Sequence, residues 1–339
     1  MPLRLTAYTL ASALGAGLAA NLDALRAQRS GLVRKQWETT TLDTCIGEVA
    51  GLDDFRLRDD LAAFDCRNNR LAQRALECDD FSARVREAIA RYGDTRIGVF
   101  LGTSTAGILS SKIAFRQRDT ATGTWPGDLD YRRTHNSYSV GDFVRSYFGL
   151  HGPAWVVSTA CSSSAKVFGD AQRMMACGLI DAAIVGGIDS LCLTTLYGFN
   201  SLQLVSRNAC KPYDEFRDGI SIGEGGAFVL LEGGAPAAGE IVVAGIGESS
   251  DAHHMSAPHP EGLGARAAMQ AALDMAGLQP ADIDYINLHG TSTPSNDAAE
   301  DKGVTALFGT GPATRFHAGR CRHHAAGFAP ALQLPSGQS

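Results

Sequence analysis

No run of residues in this chain is long and apolar enough to span a bilayer, which takes about 20 consecutive apolar residues. The nearest approach is the stretch 1–22, MPLRLTAYTLASALGAGLAANL, where Thr6, Tyr8 and Thr9 interrupt the apolar run. Its small residues and single arginine superficially suggest a signal peptide. A strand over 3–10, a glycine-bearing turn and an amphipathic helix over 20–28 fit it better. No membrane partner is therefore expected. No CxxC pair occurs among the eight cysteines, at 45, 66, 78, 161, 177, 192, 210 and 321. That excludes a zinc-ribbon or short disulfide framework and favours reduced thiols in a cytoplasmic protein. No basic run offsets the net charge of −6, so nucleic acid is not an expected partner. The glycine-rich run GTSTAGI (102–108) is neither GxGxxG nor a Walker loop, so phosphate binding has no support.

What is present is ordinary globular-enzyme composition, 45% hydrophobic and 19% charged, with 38 glycines that imply many tight turns and close approaches. Apolar strand-like runs recur at 97–103, 154–160, 182–188, 226–232, 240–247 and 284–290, with helical patterns between them. Alternating strands and helices predict α/β layers. The small-residue segment GGAPAAGE (233–240) divides the chain, and after it the strand–helix pattern restarts. This predicts a first unit over 1–235 and a shorter, related second unit over 236–309. Residues 111–139 read as a loop insertion with short helices. From 310 to 339 periodicity is lost and Arg, His, Ala, Gly and Pro dominate. That tail is expected to pack poorly.

Cys161 follows the run AWVVSTA and precedes SSSAKVFGDAQRMMACG, which reads as an amphipathic helix. A strand-to-helix turn puts the thiol at a helix N-terminus, where free N–H groups and the positive dipole end favour thiolate and an oxyanion. A buried structural cysteine remains open on this pattern alone. His289 closes the run DYINLHG, a position where α/β folds often place functional groups. A turn histidine bonding only backbone is an equal alternative. Asp189 and Ser190, after the small-residue run at 182–188, read as core packing.

Three stretches in order carry a resemblance. TACSSSA with GLIDAAIVGGIDSL is similar to the active-site segment of elongating β-ketoacyl-[acyl-carrier-protein] synthases. RNACKPYDEFRDGISIGEGGAFVLLE (207–232) is similar to that family's Pro-Phe-Asp-x-x-Arg-x-Gly signature, here Pro212, Tyr213, Asp214, Arg217 and Gly219. NLHGTSTPSNDAAEDK (287–302) is similar to its first histidine motif. SLCLTTLYGFNSLQLVS looks like the aryl-polyene branch.

The resemblance implies a thiolase-like α/β/α/β/α layered fold with two related halves, the second incomplete. It implies Cys161 as acyl-accepting nucleophile and His289 as one of two catalytic histidines. Glu300 falls at an acidic position that would bond a catalytic lysine; a solvated helix charge is its alternative. The implied partners are an acyl carrier protein bearing the phosphopantetheine, acyl and malonyl thioesters, and a second synthase chain as homodimer or heterodimer. No cofactor or metal is implied. The family's Ser-Thr-Lys, Gly-His-Thr-x-Gly-Ala-Ala-Gly and Gly-Phe-Gly-Gly segments do not occur in these 339 residues. Truncation or a frameshift after about residue 309 is therefore expected, with impaired condensation. Two other classes stay open: a non-catalytic partner of an active synthase, and a Cys/His thioester hydrolase. His317, Cys321, His323 and His324 form an HxxxCxHH cluster better read as chance than as a zinc site. For His253, His254 and His259, a tunnel wall near the substrate entrance and a solvated loop are equally good readings, and both are better than a metal site.

Overall fold

A computed structural model of the protein describes residues 3–127, 129–254 and 256–309. The chain begins with β1 (Leu3–Ser12), β2 (Gly15–Ala16), α1 (Leu18–Arg26), β3 (Leu32–Arg34) and β4 (Cys45–Gly47). Helices α2 (Arg67–Leu76) and α3 (Phe81–Tyr92) lead to β5 (Ile97–Gly102), α4 (Ile108–Gln117) and α5 (Ser139–Phe148). Then come β6 (Ala154–Val157), α6 (Ser163–Ala176), β7 (Ala182–Asp189), α7 (Leu193–Ser201), β8 (Ile222–Gly223) and β9 (Gly225–Gly233). The last described elements are β10 (Ile241–Val243), α8 (Leu263–Ala276) and α9 (Pro294–Phe308).

The main sheet is mixed, in the order β10-β1-β9-β7-β5-β6, with β2 paired to β1. β5 runs parallel to β6 and β7, and β9 runs antiparallel to both β7 and β1. β3, β4 and β8 form a small second sheet. The strand interiors are near-continuous apolar runs because both sheet faces are covered. Side chains alternate accordingly. Val99, Leu101, Ile184 and Leu230 join the core under α2, α3 and α5, while Phe100, Ala183, Val185 and Val229 join the core under α6.

The runs at 97–103, 182–188 and 226–232 become β5, β7 and β9 almost as expected, and 3–10 becomes β1. Three expectations change. In 154–160 only the first four residues are strand, because the rest turns into α6. In 240–247 only Ile241–Val243 is strand, and it extends the first sheet by pairing antiparallel with β1 instead of starting a second large one. Residues 284–290 form no strand. Strand backbone needs a ladder partner, and none of the described residues pairs with this run. Of the expected five layers, the described residues supply α2, α3 and α5, the main sheet and α6, with α8 and α9 following across a cleft. The unit over 310–339, with His317, Cys321, His323 and His324, lies outside the described residues. Among the described residues no helix is long and apolar enough to cross a membrane.

Candidate active site

The strand-to-helix turn at Cys161 is tightly wound. β6 ends at Val157 and α6 starts at Ser163, leaving five residues for the reversal. Ala160 takes the left-handed conformation, φ +52°, which an L residue adopts only when its surroundings hold it there. Its carbonyl accepts from Ser163 Oγ at 2.6 Å, Ser163 N at 3.1 Å and Ser104 Oγ at 3.1 Å. Ser163 Oγ in turn accepts from Thr159 N at 2.9 Å. The serines after Cys161 are therefore structural parts of the elbow as well as small neighbours.

The start of α6 presses directly on the sheet. A methyl group added at Gly102 would lie 2.4 Å from Ser164 N, and one at Gly187 would lie 2.5 Å from Ser164 Cβ. Glycine at the ends of β5 and β7 is what lets the helix, and with it Cys161, sit this close.

The sequence expectation of a stabilised thiolate is not what the site produces. Burial pushes the Cys161 thiol up from its ordinary range, its own backbone N–H pulls it partly back, and the charge of Asp189 pushes it further up. Desolvation of the anion is the largest of these effects. Because the thiol form is the resting one, alkylation of Cys161 by iodoacetamide is expected to rise with pH through a midpoint above that of a free thiol, about 8.5. A midpoint at or below that of free cysteine, followed by peptide mass spectrometry, would contradict this.

Cys161 lines a cleft of about 610 Å³ that His289 and Glu300 also line. Phe168, Ile246, Ala268, Ala272 and Tyr285 make its walls largely apolar. Lys166 also lines it, 3.6 Å from Glu248. Of the 251–259 loop, Asp251 lines the cleft but His253, His254 and His259 do not. His253 and His259 face each other at 4.8 Å between ring centroids. Among the described residues no group of three or more His, Cys, Asp or Glu is arranged to hold a metal.

Glu300 is neither a solvated helix charge nor, among the described residues, a partner of a lysine. Half-buried on α9, it accepts the backbone N–H groups of His289 and Gly290, the latter at 2.8 Å, and the Tyr213 hydroxyl at 2.7 Å. One turn earlier on α9, buried Asp297 accepts Ser292 N at 3.1 Å and Tyr213 N at 2.8 Å, with Arg217 Nε 3.5 Å away. The 212–219 signature thus docks the first unit onto the histidine loop. Tyr213 stands where the family signature has Phe; the sequence names it only as a signature position, and that departure is the available signal of its hydroxyl's role. Tyr213→Phe is expected to loosen the loop by about 1 kcal/mol. The check is faster hydrogen exchange at the His289 and Gly290 amides; unchanged exchange would show the hydroxyl is idle.

Asp189 and Ser190 are both buried, as core packing requires, but Asp189 also organises polar groups. Asp189 ends β7 and gathers the polar groups of 103–105. Burial outweighs those donors and holds its carboxyl up at about 6. Ser190 N donates to Thr105 Oγ1 at 2.9 Å.

A mixed sheet with flanking helices and a cysteine at a strand-to-helix elbow, sharing a cleft with a histidine, fit the thiolase-like class of α/β proteins. The N-terminal domain of β-ketoacyl synthase matches residues 5–237, and the C-terminal domain of the same family matches 241–325. The chain belongs to the β-ketoacyl synthase family. It is similar to 3-oxoacyl-[acyl-carrier-protein] synthase 2 of Staphylococcus aureus, with 35% identity over 63% of this chain and 56% of that protein. It is similar to nodulation protein E of Rhizobium sp. (strain N33), with 30% identity over 77% of this chain and 62% of that protein. Among solved structures it resembles the ketosynthase ApeO of Xenorhabdus doucetiae, in complex with its chain length factor ApeC. That match has TM-score 0.81 and 37% identity, covering 91% of this chain and 76% of that one. The chain thus spans little more than half the length of the Staphylococcus relative it matches. The C-terminal match runs past residue 309, where the motif resemblance stops.

Proposed function

We propose that this chain performs the acyl-capture half of a β-ketoacyl synthase reaction, with Cys161 as nucleophile. The observation that carries the reading is the single cleft lined by Cys161, His289 and Glu300. Cys161 Sγ attacks the carbonyl carbon of an acyl thioester delivered on the phosphopantetheine of an acyl carrier protein. The carbonyl oxygen takes the developing charge near the N–H groups of the elbow. The carrier sulfur leaves with the proton that Cys161 gave up, and a Cys161 thioester remains. In the second half, a malonyl carrier protein loses CO₂, and the carbanion forms a C–C bond to the Cys161 acyl carbon as the C–S bond breaks. An N–H of His289 aimed at the malonyl thioester oxygen stabilises the enolate.

The lysine and second histidine motifs of the family do not occur in these 339 residues, so condensation by the isolated chain is expected to be impaired. We read 1–235 and 236–309 as the two unequal family halves. The finer reading, a frame that leaves the family after about 309, has the loss of periodicity there in its favour and the family match to 325 against it. The partner is an acyl carrier protein, with a second synthase chain as homodimer or heterodimer. The chain's 37% identity to a ketosynthase solved in complex with its chain length factor makes the heterodimer worth testing.

The test is intact-mass analysis of the purified chain incubated with acyl-carrier thioester, followed by malonyl carrier protein. The expected result is a stable acyl increment mapping to Cys161, with little β-ketoacyl product. No increment would remove the reading. Steady release of free acid would make the chain a thioester hydrolase, and rapid elongation would refute the impairment.

A further inference from the structure

We propose that Asp189 is a positioning residue for Cys161, holding the nucleophile elbow through Ser104. This rests on the reading of Cys161 as the acyl-accepting nucleophile. Asp189 is 6% exposed at the end of β7, and one of its oxygens, Oδ1, accepts four bonds from the turn after β5. They come from Thr103 Oγ1 at 3.1 Å, Ser104 N at 2.7 Å, Thr105 N at 3.0 Å and Thr105 Oγ1 at 3.0 Å.

The turn so fixed is the one that reaches the elbow. Ser104 has its N–H held by Asp189 and its Oγ on the Ala160 carbonyl, 3.1 Å away. Ala160 is the residue with φ +52° immediately before the nucleophile. A left-handed alanine persists only where neighbours over-determine it. Ser104 is the neighbour that comes from outside the elbow itself; the other donors to this carbonyl belong to Ser163. A plain packing position beside α6 would be filled better by an apolar residue, since a buried carboxyl costs stability unless its bonds are used. The acceptor-only carboxylate is what four converging donors require.

The same carboxylate bears on the thiol electrostatically, opposing its ionisation. Removing the charge and removing the geometry therefore have opposite effects, and this separates a positioning role from a merely structural one. The experiment uses the full chain and the variants Asp189→Asn, Ser104→Ala and Ser104→Thr. Acyl transfer from an acyl-carrier thioester is followed by intact mass, and iodoacetamide alkylation of Cys161 is followed across pH.

Asp189→Asn is expected to slow acyl transfer at least tenfold while moving the alkylation midpoint to lower pH. Ser104→Ala, a change at an exposed side chain that leaves the fold intact, is expected to slow transfer in the same direction without moving the midpoint. Ser104→Thr, which keeps the hydroxyl, is expected to restore it. Transfer by both Asp189→Asn and Ser104→Ala within threefold of the unaltered chain would overturn the proposal. If the unaltered chain takes up no acyl group, the functional reading fails, and hydrogen exchange at the elbow still decides Asp189: unchanged exchange of the Ser162 and Ser163 amides in both Asp189→Asn and Ser104→Ala overturns its hold on the elbow.

Discussion

A Gly102→Ala chain is expected to acylate Cys161 about 100-fold more slowly than the unaltered protein while remaining folded. The added methyl would lie 2.4 Å from Ser164 N and 2.5 Å from Ser163 C, both of them backbone atoms that no rotamer change can move. The first turn of α6 must therefore shift away from β5. Overpacking of this kind costs roughly 1–3 kcal/mol of stability. The larger loss is functional, because Cys161 sits two residues before that turn, and a displacement of about 1 Å in a reacting group is enough for a 100-fold rate loss. The measurement is acyl uptake by intact mass beside a thermal melt. Uptake within threefold of the unaltered chain would mean that the helix start is not what aims the thiol.

Replacing Arg67 by Met is expected to destabilise the fold by about 3–5 kcal/mol, the usual result of removing one partner from a buried ion pair. The Arg67 guanidinium on α2 is buried and bonds both oxygens of Glu224, each at 2.7 Å, with Glu48 at 3.0 Å and Asp53 close by. Burial works against the cation, but Glu224, Asp53 and Glu48 together outweigh it and hold Arg67 more firmly protonated than a free arginine. Glu224 has no exposed surface and also accepts Val49 N at 3.0 Å and Leu191 N at 2.9 Å. The carboxylate thus ties α2, the segment following β4 and the segment following β7 to one point. Without Arg67 it would be left charged in the interior. Urea unfolding measures the loss, and the double variant Arg67→Met/Glu224→Leu is expected to recover much of it. A single variant as stable as the unaltered chain would show that the network is solvated in practice.

Much of the fold was legible in the pattern of residues. Runs such as IGVFLGT and GAFVLLE are long, apolar and bounded by turn residues, and both faces of the sheet are covered, so period and burial agree. The elbow was legible for the same reason: a strand that ends in small residues before an amphipathic helix has little choice but to turn there. The run at 284–290 was misjudged as a strand because apolar alternation reports willingness to pair, whereas a strand exists only when another backbone lies beside it.

The candidate site divides along the same line. Local sequence was sufficient to single out Cys161 and His289 as candidates, since each closes an apolar run; only the run before Cys161 is a strand. That they face one cleft, with Glu300 bracing the His289 loop, depends on residues far apart in the chain, and no spacing rule encodes it. The protonation of Cys161 was decided only by folding. A helix N-terminus is a local feature that argues for thiolate, but desolvation is a property of everything packed around the sulfur, and it is the largest effect on the thiol. The roles of Asp189 and Tyr213 arose in the same way. Their partners lie 84 to 87 residues distant, brought within hydrogen-bond reach only by the sheet order and the docking of α9. The sequence by itself therefore determined which residues are candidates for the proposed acyl transfer; the tertiary structure decided how they are charged and held, because burial and long-range hydrogen bonding exist only once the chain has closed on itself.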